Sequence, residues 1–243
     1  MTIGKKILFG GLGWALGGPI GAIIGYFLAS QGTPQSQRTY HQTSRSYPST
    51  KPGDFLVSML VLFSAVMKAD KKLLRSELDY VKGFLRQQFG QNQTSEFMML
   101  FKEIVKQDYP LRDVCRQIQR SMDHPSRLEL VHVLFGLSKA DGHIHPSEIK
   151  IIHTIARYLN INDHDFGSIK AMFVKDTKSA YKILEITPKA TDQELKKAYR
   201  KIASKYHPDK VTHLGNEFKN LAEEKFKAVN DAYQSIKKER GII

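Results

Sequence analysis

The sequence has few of the residues that would cross-link it or bind a metal. Cys115 is the only cysteine among 243 residues, which excludes an internal disulfide and a cysteine-based zinc module and fits a reducing compartment. Strand signals are missing too. Downstream of the N-terminal region no stretch alternates apolar and polar residues between turn formers, so the folded part is expected to be all-α. Nor is there a phosphate-cradling glycine loop or a cofactor fingerprint, so neither an enzyme nor a cofactor is expected. Acidic residues are the minority charge: 24 Asp and Glu stand against 37 Lys and Arg, a formal charge of +13. Such a field speeds association with nucleic acid, an anionic membrane or an acidic protein without choosing among them.

Charge is absent altogether from Ile7 to Ser30. A helix of that length, rising ~1.5 Å per residue, would cross a hydrocarbon core of ~30 Å, so residues 1–30 are expected to be a membrane anchor. Gly13, Gly17, Gly21 and Gly25 recur every fourth residue, a spacing that lets a second helix approach closely and suggests a homodimer through that face. Gly10, Gly11, Gly18 and Pro19 weaken the helix, which leaves a re-entrant or peripheral segment open. A cleaved signal peptide would need a small-x-small site that Leu28 to Ser30 does not offer. Lys5 and Lys6 on one side are balanced by Arg38, Arg45 and Lys51 on the other, so loop charge does not orient the span. Residues 31–53, rich in Ser, Thr, Gln and Pro, cannot bury enough surface to order themselves and are expected to be a disordered linker.

An internal repeat follows. Lys68-Ala69-Asp70 with Ser76-Glu77-Leu78 is echoed by Lys139-Ala140-Asp141 with Ser147-Glu148-Ile149. Apolar positions agree as well, Leu60, Leu62 and Phe63 answering Val131, Val133 and Leu134, and Val81 and Phe84 answering Ile152 and Ile155. Two similar helix-loop-helix units are implied. This pattern resembles the TerB-like helical domain over residues 54–175, with Asp70, Glu77, Asp141 and Glu148 as its acidic positions. Helix capping accounts for most of the acidic pattern: Pro146 suits a first helical position and Glu148 a capping carboxylate. The sharper alternative is a metal site drawn from Asp141, His143, His145, Glu148 and His153, because the resemblance implies suspected metal binding. The first copy opposes it, since Lys72 and Leu74 stand where two of those histidines would be, and no metal is expected.

The last segment, residues 176–243, carries the most specific signal. Thr191 and Glu194 form a capping box, and Leu195, Ala198, Tyr199, Ile202, Ala203 and Tyr206 then recur every three or four residues, the stripe of an amphipathic helix. Its other face bears Lys196, Lys197, Arg200, Lys201 and Lys205, and Pro208 ends it. A second helix presents Ala222, Phe226, Val229, Tyr233 and Ile236 and is expected to pack antiparallel to the first. Tyr181 to Leu184, Ala198 to Lys201, His207-Pro208-Asp209-Lys210, and Phe226 with Ala232-Tyr233 follow the J-domain pattern in order. The resemblance implies docking on the ATPase domain of a DnaK-type chaperone through His207, Pro208 and Asp209, supported by the basic residues Lys196, Lys197, Arg200, Lys201, Lys205 and Lys210. Glu185 departs from the pattern, standing where many J-domains have glycine, and Val211 to Glu224 is longer than in compact members.

An apolar N-terminus, a TerB-like middle and a closing J-domain together resemble the membrane-anchored DnaJ-like co-chaperones. The expectation is a single-pass protein of the inner (cytoplasmic) membrane, with both domains in the cytoplasm where ATP and the partner are found. Two other readings stand beside it. A basic nucleic-acid binder would show steep salt-dependent DNA affinity, though no nucleic acid is the expectation here; a membrane scaffold sensing metal or stress would have no need of an intact His207-Pro208-Asp209.

Overall fold

The computed structural model describes residues 52–70 and 73–242, together with Ile23. Apart from Ile23, the expected anchor with Gly13, Gly17, Gly21 and Gly25, and nearly all of the linker, lie outside the described residues. Ten α-helices are described, in order α1 (Pro52–Met67), α2 (Arg75–Phe89), α3 (Gln91–Val105), α4 (Leu111–Ser121), α5 (His124–Ser138), α6 (Pro146–Tyr158), α7 (Asp163–Phe173), α8 (Ser179–Ile183), α9 (Asp192–Lys205) and α10 (Asn216–Glu239). Two short 3₁₀ turns, Pro208–Lys210 and Thr212–Leu214, join the last two. No strand occurs among the described residues. None of the described helices is long and apolar enough to cross a membrane.

Helix α1 is apolar on every side, and a helix without a polar face has to be enclosed. Its Leu60, Leu62, Phe63, Val66 and Met67 are fully buried beneath α3, α4, α5 and α6. The second repeat supplies the matching centre: α5 buries Leu128, Val131, Val133, Leu134 and Phe135 against α1, α2, α6 and α7. The repeat is therefore visible in the packing. α1 and α2 make one copy, α5 and α6 the other; α1 packs on α6 while α5 packs on α2. Each copy thus covers the apolar helix of its counterpart, which neither could do alone.

Polar ends are closed by local side chains. Asp123 accepts the amide of Ser126 at 3.0 Å to start α5, and Asn162 accepts that of Asp165 at 2.9 Å to start α7. Gly90, at φ +80°, ends α2 in a conformation that a side chain would resist.

The C-terminal hairpin is antiparallel. Tyr199 stacks on Tyr233 with centroids 4.2 Å apart and donates from its hydroxyl to Asn230 Oδ1 at 2.9 Å, while further along His207 faces Phe226. Its far end is tied by Arg240, which donates to the Ala190 carbonyl at 2.7 Å and to Asp192 at 3.0 Å. The hairpin does not stand apart from the repeats, for α10 packs on both α2 and α5. A chain of edge-on rings runs from the centre outward, Phe63 to Phe84 at 5.9 Å and Phe84 to Phe218 at 5.4 Å. Beside it, Lys225 of α10 donates to Glu129 of α5, with side chains only 2% and 1% exposed.

Burial is the largest influence on each member of that pair, pushing Glu129 up and Lys225 down, and their mutual attraction offsets only part of it. Removing one partner strands the other in a dry site, whereas removing both leaves an apolar gap of similar shape. Lys225→Met alone is expected to lose about 3 kcal/mol or more, and Glu129→Leu with Lys225→Met to lie within about 1 kcal/mol of the native protein. Urea denaturation of the three proteins checks this; equal losses for the single and double variants would contradict it.

Candidate functional site

Helix α9 begins as its sequence dictates. Thr191 Oγ1 accepts the Glu194 amide at 3.3 Å and Glu194 Oε2 accepts the Thr191 amide at 2.7 Å, so two orphan amides are satisfied reciprocally. Leu195 and Ile202 are buried against the hairpin partner, and rotation by the helical period turns Lys196, Lys197, Arg200 and Lys201 to solvent. Lys196, Lys197 and Arg200 have no described carboxylate within ion-pair range, and Lys201 only a long contact to Glu185 at 3.6 Å with its own side chain 71% exposed. Three of these cations are thus unengaged by the described protein.

Lys205 differs from the expected solvent-facing row. It donates to Glu185 Oε1 at 2.5 Å and also to Asp165 of α7, and its side chain is 19% exposed. The cause is its place in the last turn of α9, where carboxylates of α7 and of the residue after the α8 turn converge. Burial alone would raise the Asp165 carboxyl, but hydrogen bonds from Lys205 and His124 outweigh it and hold that group below the usual range. Glu185 itself sits at φ +56°. This left-handed backbone is strained for a residue with a Cβ, and the glutamate side chain it carries accepts from Lys205.

Pro208 ends α9 and starts the first 3₁₀ turn, capped by His207, whose Nδ1 accepts the Asp209 amide at 3.3 Å. Thr212 Oγ1 closes the turn by donating to the Asp209 carbonyl at 3.2 Å. The His207 side chain is 47% exposed with its ring 5.7 Å from that of Phe226, and Asp209 is 80% exposed. Lys210 is exposed beside them. The expected site residues therefore share one face of the hairpin and its tip, with Lys205 turned inward.

The acidic positions form a separate group. Exchange of the two copies brings the starts of α2 and α6 together, and Asp70, Glu77, Asp141 and Glu148 line one cavity of about 340 Å³ with Ser138 and His143. Both glutamates act as caps: Glu77 accepts the Leu74 amide at 2.9 Å and Glu148 the His145 amide at 2.7 Å. His153 lies elsewhere, paired with Asp163 at 2.8 Å. Among the described residues no group of three or more His, Cys, Asp or Glu is arranged to hold a metal ion.

Residues that sequence reasoning passed over are those that join the two domains, Gln88, Glu129, Asp165 and Lys225. A signal existed for two of them. Glu129 interrupts the apolar run of α5, and Lys225 lies on the stripe that joins Ala222 to Val229; opposite charges on two apolar faces are a hint of pairing.

With this geometry in view, comparison with known proteins is direct. The family model described as Tellurite resistance protein TerB matches residues 56–171, and the DnaJ domain model matches residues 179–241. Co-chaperone protein DjlA of Coxiella burnetii is 27% identical over 259 residues, covering 96% of both chains. The chain is similar to the DjlA-type co-chaperones over almost its whole length. Proteins of the same name from Aliivibrio fischeri, 28% identical over 83% of this chain and 84% of theirs, and from Vibrio parahaemolyticus, 27% over 78% and 79%, extend the match. No solved structure matches. The match to the first of these relatives therefore spans both the TerB and the J region of this chain.

Glu77 offers a test of the cavity. Burial, then the neighbouring Glu148, Asp70 and Asp141, push its carboxyl from 4.5 up to about 7, against the Leu74 amide, which lowers it. A raised value means the folded state holds the proton more tightly, so stability present below pH 4.5 falls as pH rises toward 7. Glu77→Gln keeps a capping oxygen and removes the ionisation. It is expected to match the native protein near pH 4.5 and to be more stable by about 2 kcal/mol near pH 8, read from melting curves across that range.

Proposed function

We propose that this co-chaperone stimulates ATP hydrolysis by a DnaK-type chaperone, docking through His207, Pro208 and Asp209 and the basic face of α9. One observation carries the reading. The tripeptide sits exposed at a hairpin tip, next to cations that have no described partner, although a folded protein pairs or solvates such groups at no gain unless something else meets them. Lys196, Lys197 and Arg200 would raise the encounter rate with an acidic partner and fix its orientation. Asp209 would add a charge-assisted contact at the tip. The bond broken is the partner's, so the chain acts as an activator. Single-turnover hydrolysis by the cognate chaperone tests this: His207→Gln, which alters an exposed ring, is expected to return the rate to its unstimulated level. Lys196→Glu with Lys197→Glu and Arg200→Glu is expected to raise the half-saturating concentration about tenfold at low salt and less at high salt. Equal stimulation by the His207→Gln protein would remove the reading.

The same proposal places the chain at the inner membrane through residues 1–30, as a single span with Gly13, Gly17, Gly21 and Gly25 pairing two copies, and with the folded part in the cytoplasm. The uncharged run from Ile7 to Ser30 supports the span, and the need for ATP supports the side. Protease is expected to cut residues beyond Ser30 in inverted vesicles and to spare them in intact cells' membranes. Gly17→Leu with Gly21→Leu is expected to abolish crosslinked dimers in those vesicles.

A further inference from the structure

Contacts from the TerB domain converge on the segment around His207, Pro208 and Asp209 from three directions, and none of them covers it. Just before the tripeptide, Lys205 is held by Asp165 of α7. Beneath it, Lys225, fixed by Glu129 of α5, sets its ammonium 4.7 Å from the centroid of the Tyr206 ring, and the next residue, Phe226, meets the His207 ring edge-on. Just after it, the second 3₁₀ turn is pinned. Ser126 Oγ lies 3.1 Å from His213 Nε2, Gln88 Nε2 donates to the Leu214 carbonyl at 2.5 Å, and Gln88 Oε1 accepts the Glu217 amide at 3.2 Å. Gly215 completes the fit: at φ +107° it adopts a backbone closed to most side chains, and a Cβ there would fall 2.0 Å from Gln88 Nε2.

We propose that the TerB domain is a positioning element for the J switch, with Gln88, Glu129 and Asp165 as positioning residues that set the conformation of the His207 to Asp209 loop. This rests on the co-chaperone reading of that loop. A surface loop left to itself is drawn from the least stable part of a protein, and a partner must then order it on binding. Here both flanks and the underside are fixed beforehand by helices α2, α5 and α7, so the ordering is complete before the partner arrives. Charge and exposure give the sign of the effect. His207 and Asp209 stay open, as do Lys196, Lys197 and Arg200, so the docked arrangement leaves the activating surface accessible. Undocking would return Lys225 and Glu129 to water but would also expose Phe218, which is fully buried against Phe84 of α2, so apolar burial is what favours the docked state and the ion pair fixes its register.

The test uses the full chain. Gln88→Ala removes a half-buried side chain whose hydrogen bonds go to Leu214 and Glu217, beyond the loop, and is the mildest of the three changes; Asp165→Asn and Glu129→Gln probe the other two contacts. Stimulated single-turnover hydrolysis is titrated with each protein. The expected result is a plateau lowered by about fivefold or more, with the half-saturating concentration moved by less than about twofold. Partial unfolding would do the reverse, shifting half-saturation by lowering the active concentration and sparing the plateau. A second readout needs no partner: the ring resonances of His207 in the free protein are expected to move in all three variants. An unchanged plateau together with unmoved His207 resonances in Gln88→Ala would overturn the proposal. A raised plateau would overturn it in the other direction, making the contact a brake. If the native chain gives no stimulation at all, the co-chaperone reading fails and the His207 resonances alone decide whether the TerB domain positions the loop.

Discussion

The ion pair between Lys225 and Glu129 sits where two domains with separate folding logic become one packed body. Each charge lies on a helix face that is otherwise apolar, and each is almost wholly dry. Placing a charge there costs several kcal/mol unless its counterpart arrives at the same spot. Apolar faces can slide past one another with little change in energy, as volume and pattern are all they ask. A buried pair cannot slide. It fixes the rotation of α10 about its own axis and its height along α5, and from that register follow the seat of Phe218 on Phe84 and the reach of Gln88 to Leu214. Beside it His132 Nδ1 lies 3.7 Å from Glu129 Oε1, too far for a good hydrogen bond, which suits a site kept for its register and not for its contribution to stability.

The repeat in the TerB domain works by the same principle on a larger scale. An all-apolar helix cannot be stable by itself, so α1 needs α6 and α5 needs α2, and the duplicated pattern supplies both. Bringing the two helix starts together is a by-product of that exchange, and it puts Asp70, Glu77, Asp141 and Glu148 around one cavity. Capping explains why each glutamate is present. It does not explain why like charges are allowed to gather, and the raised Glu77 and Glu148 carboxyls show that the gathering has a cost, set first by burial and then by the neighbouring acids.

Much of the fold could be read from the residues, because the signals that made it are local. Periodicity located α9 and α10, Thr191 with Glu194 marked the start of α9, and Pro208 marked its end. The repeated Asp and Glu placed two equivalent hairpins that pack as copies. What escaped was the side-chain traffic between distant parts of the chain. Gln88 is an ordinary surface-type residue until the turn after Val211 arrives beside it, and nothing in its neighbours announces that meeting. Lys205 read as one more cation in a row of five because helical spacing says which face a side chain occupies, not what another helix brings to that face. Asp165, which redirects it, looks in the sequence like a first-turn residue suited to a helix N-terminus, and it serves there too.

Glu185 shows how a strained backbone position can belong to the mechanism of the fold. A left-handed backbone at a residue with a Cβ costs about 1 kcal/mol, and glycine removes that cost. Glycine would also remove the carboxylate. Here that carboxylate accepts from Lys205 at 2.5 Å and lies 3.6 Å from Lys201, and hydrogen bonds to charged groups contribute about 1.5–3 kcal/mol where they are partly shielded from water. The exchange therefore favours glutamate as long as Lys205 is held inward by Asp165 as well. Glu185, Lys205 and Asp165 are consequently one arrangement that ties the two domains before the tripeptide, and the contact of Leu214 with Gln88 ties them after it.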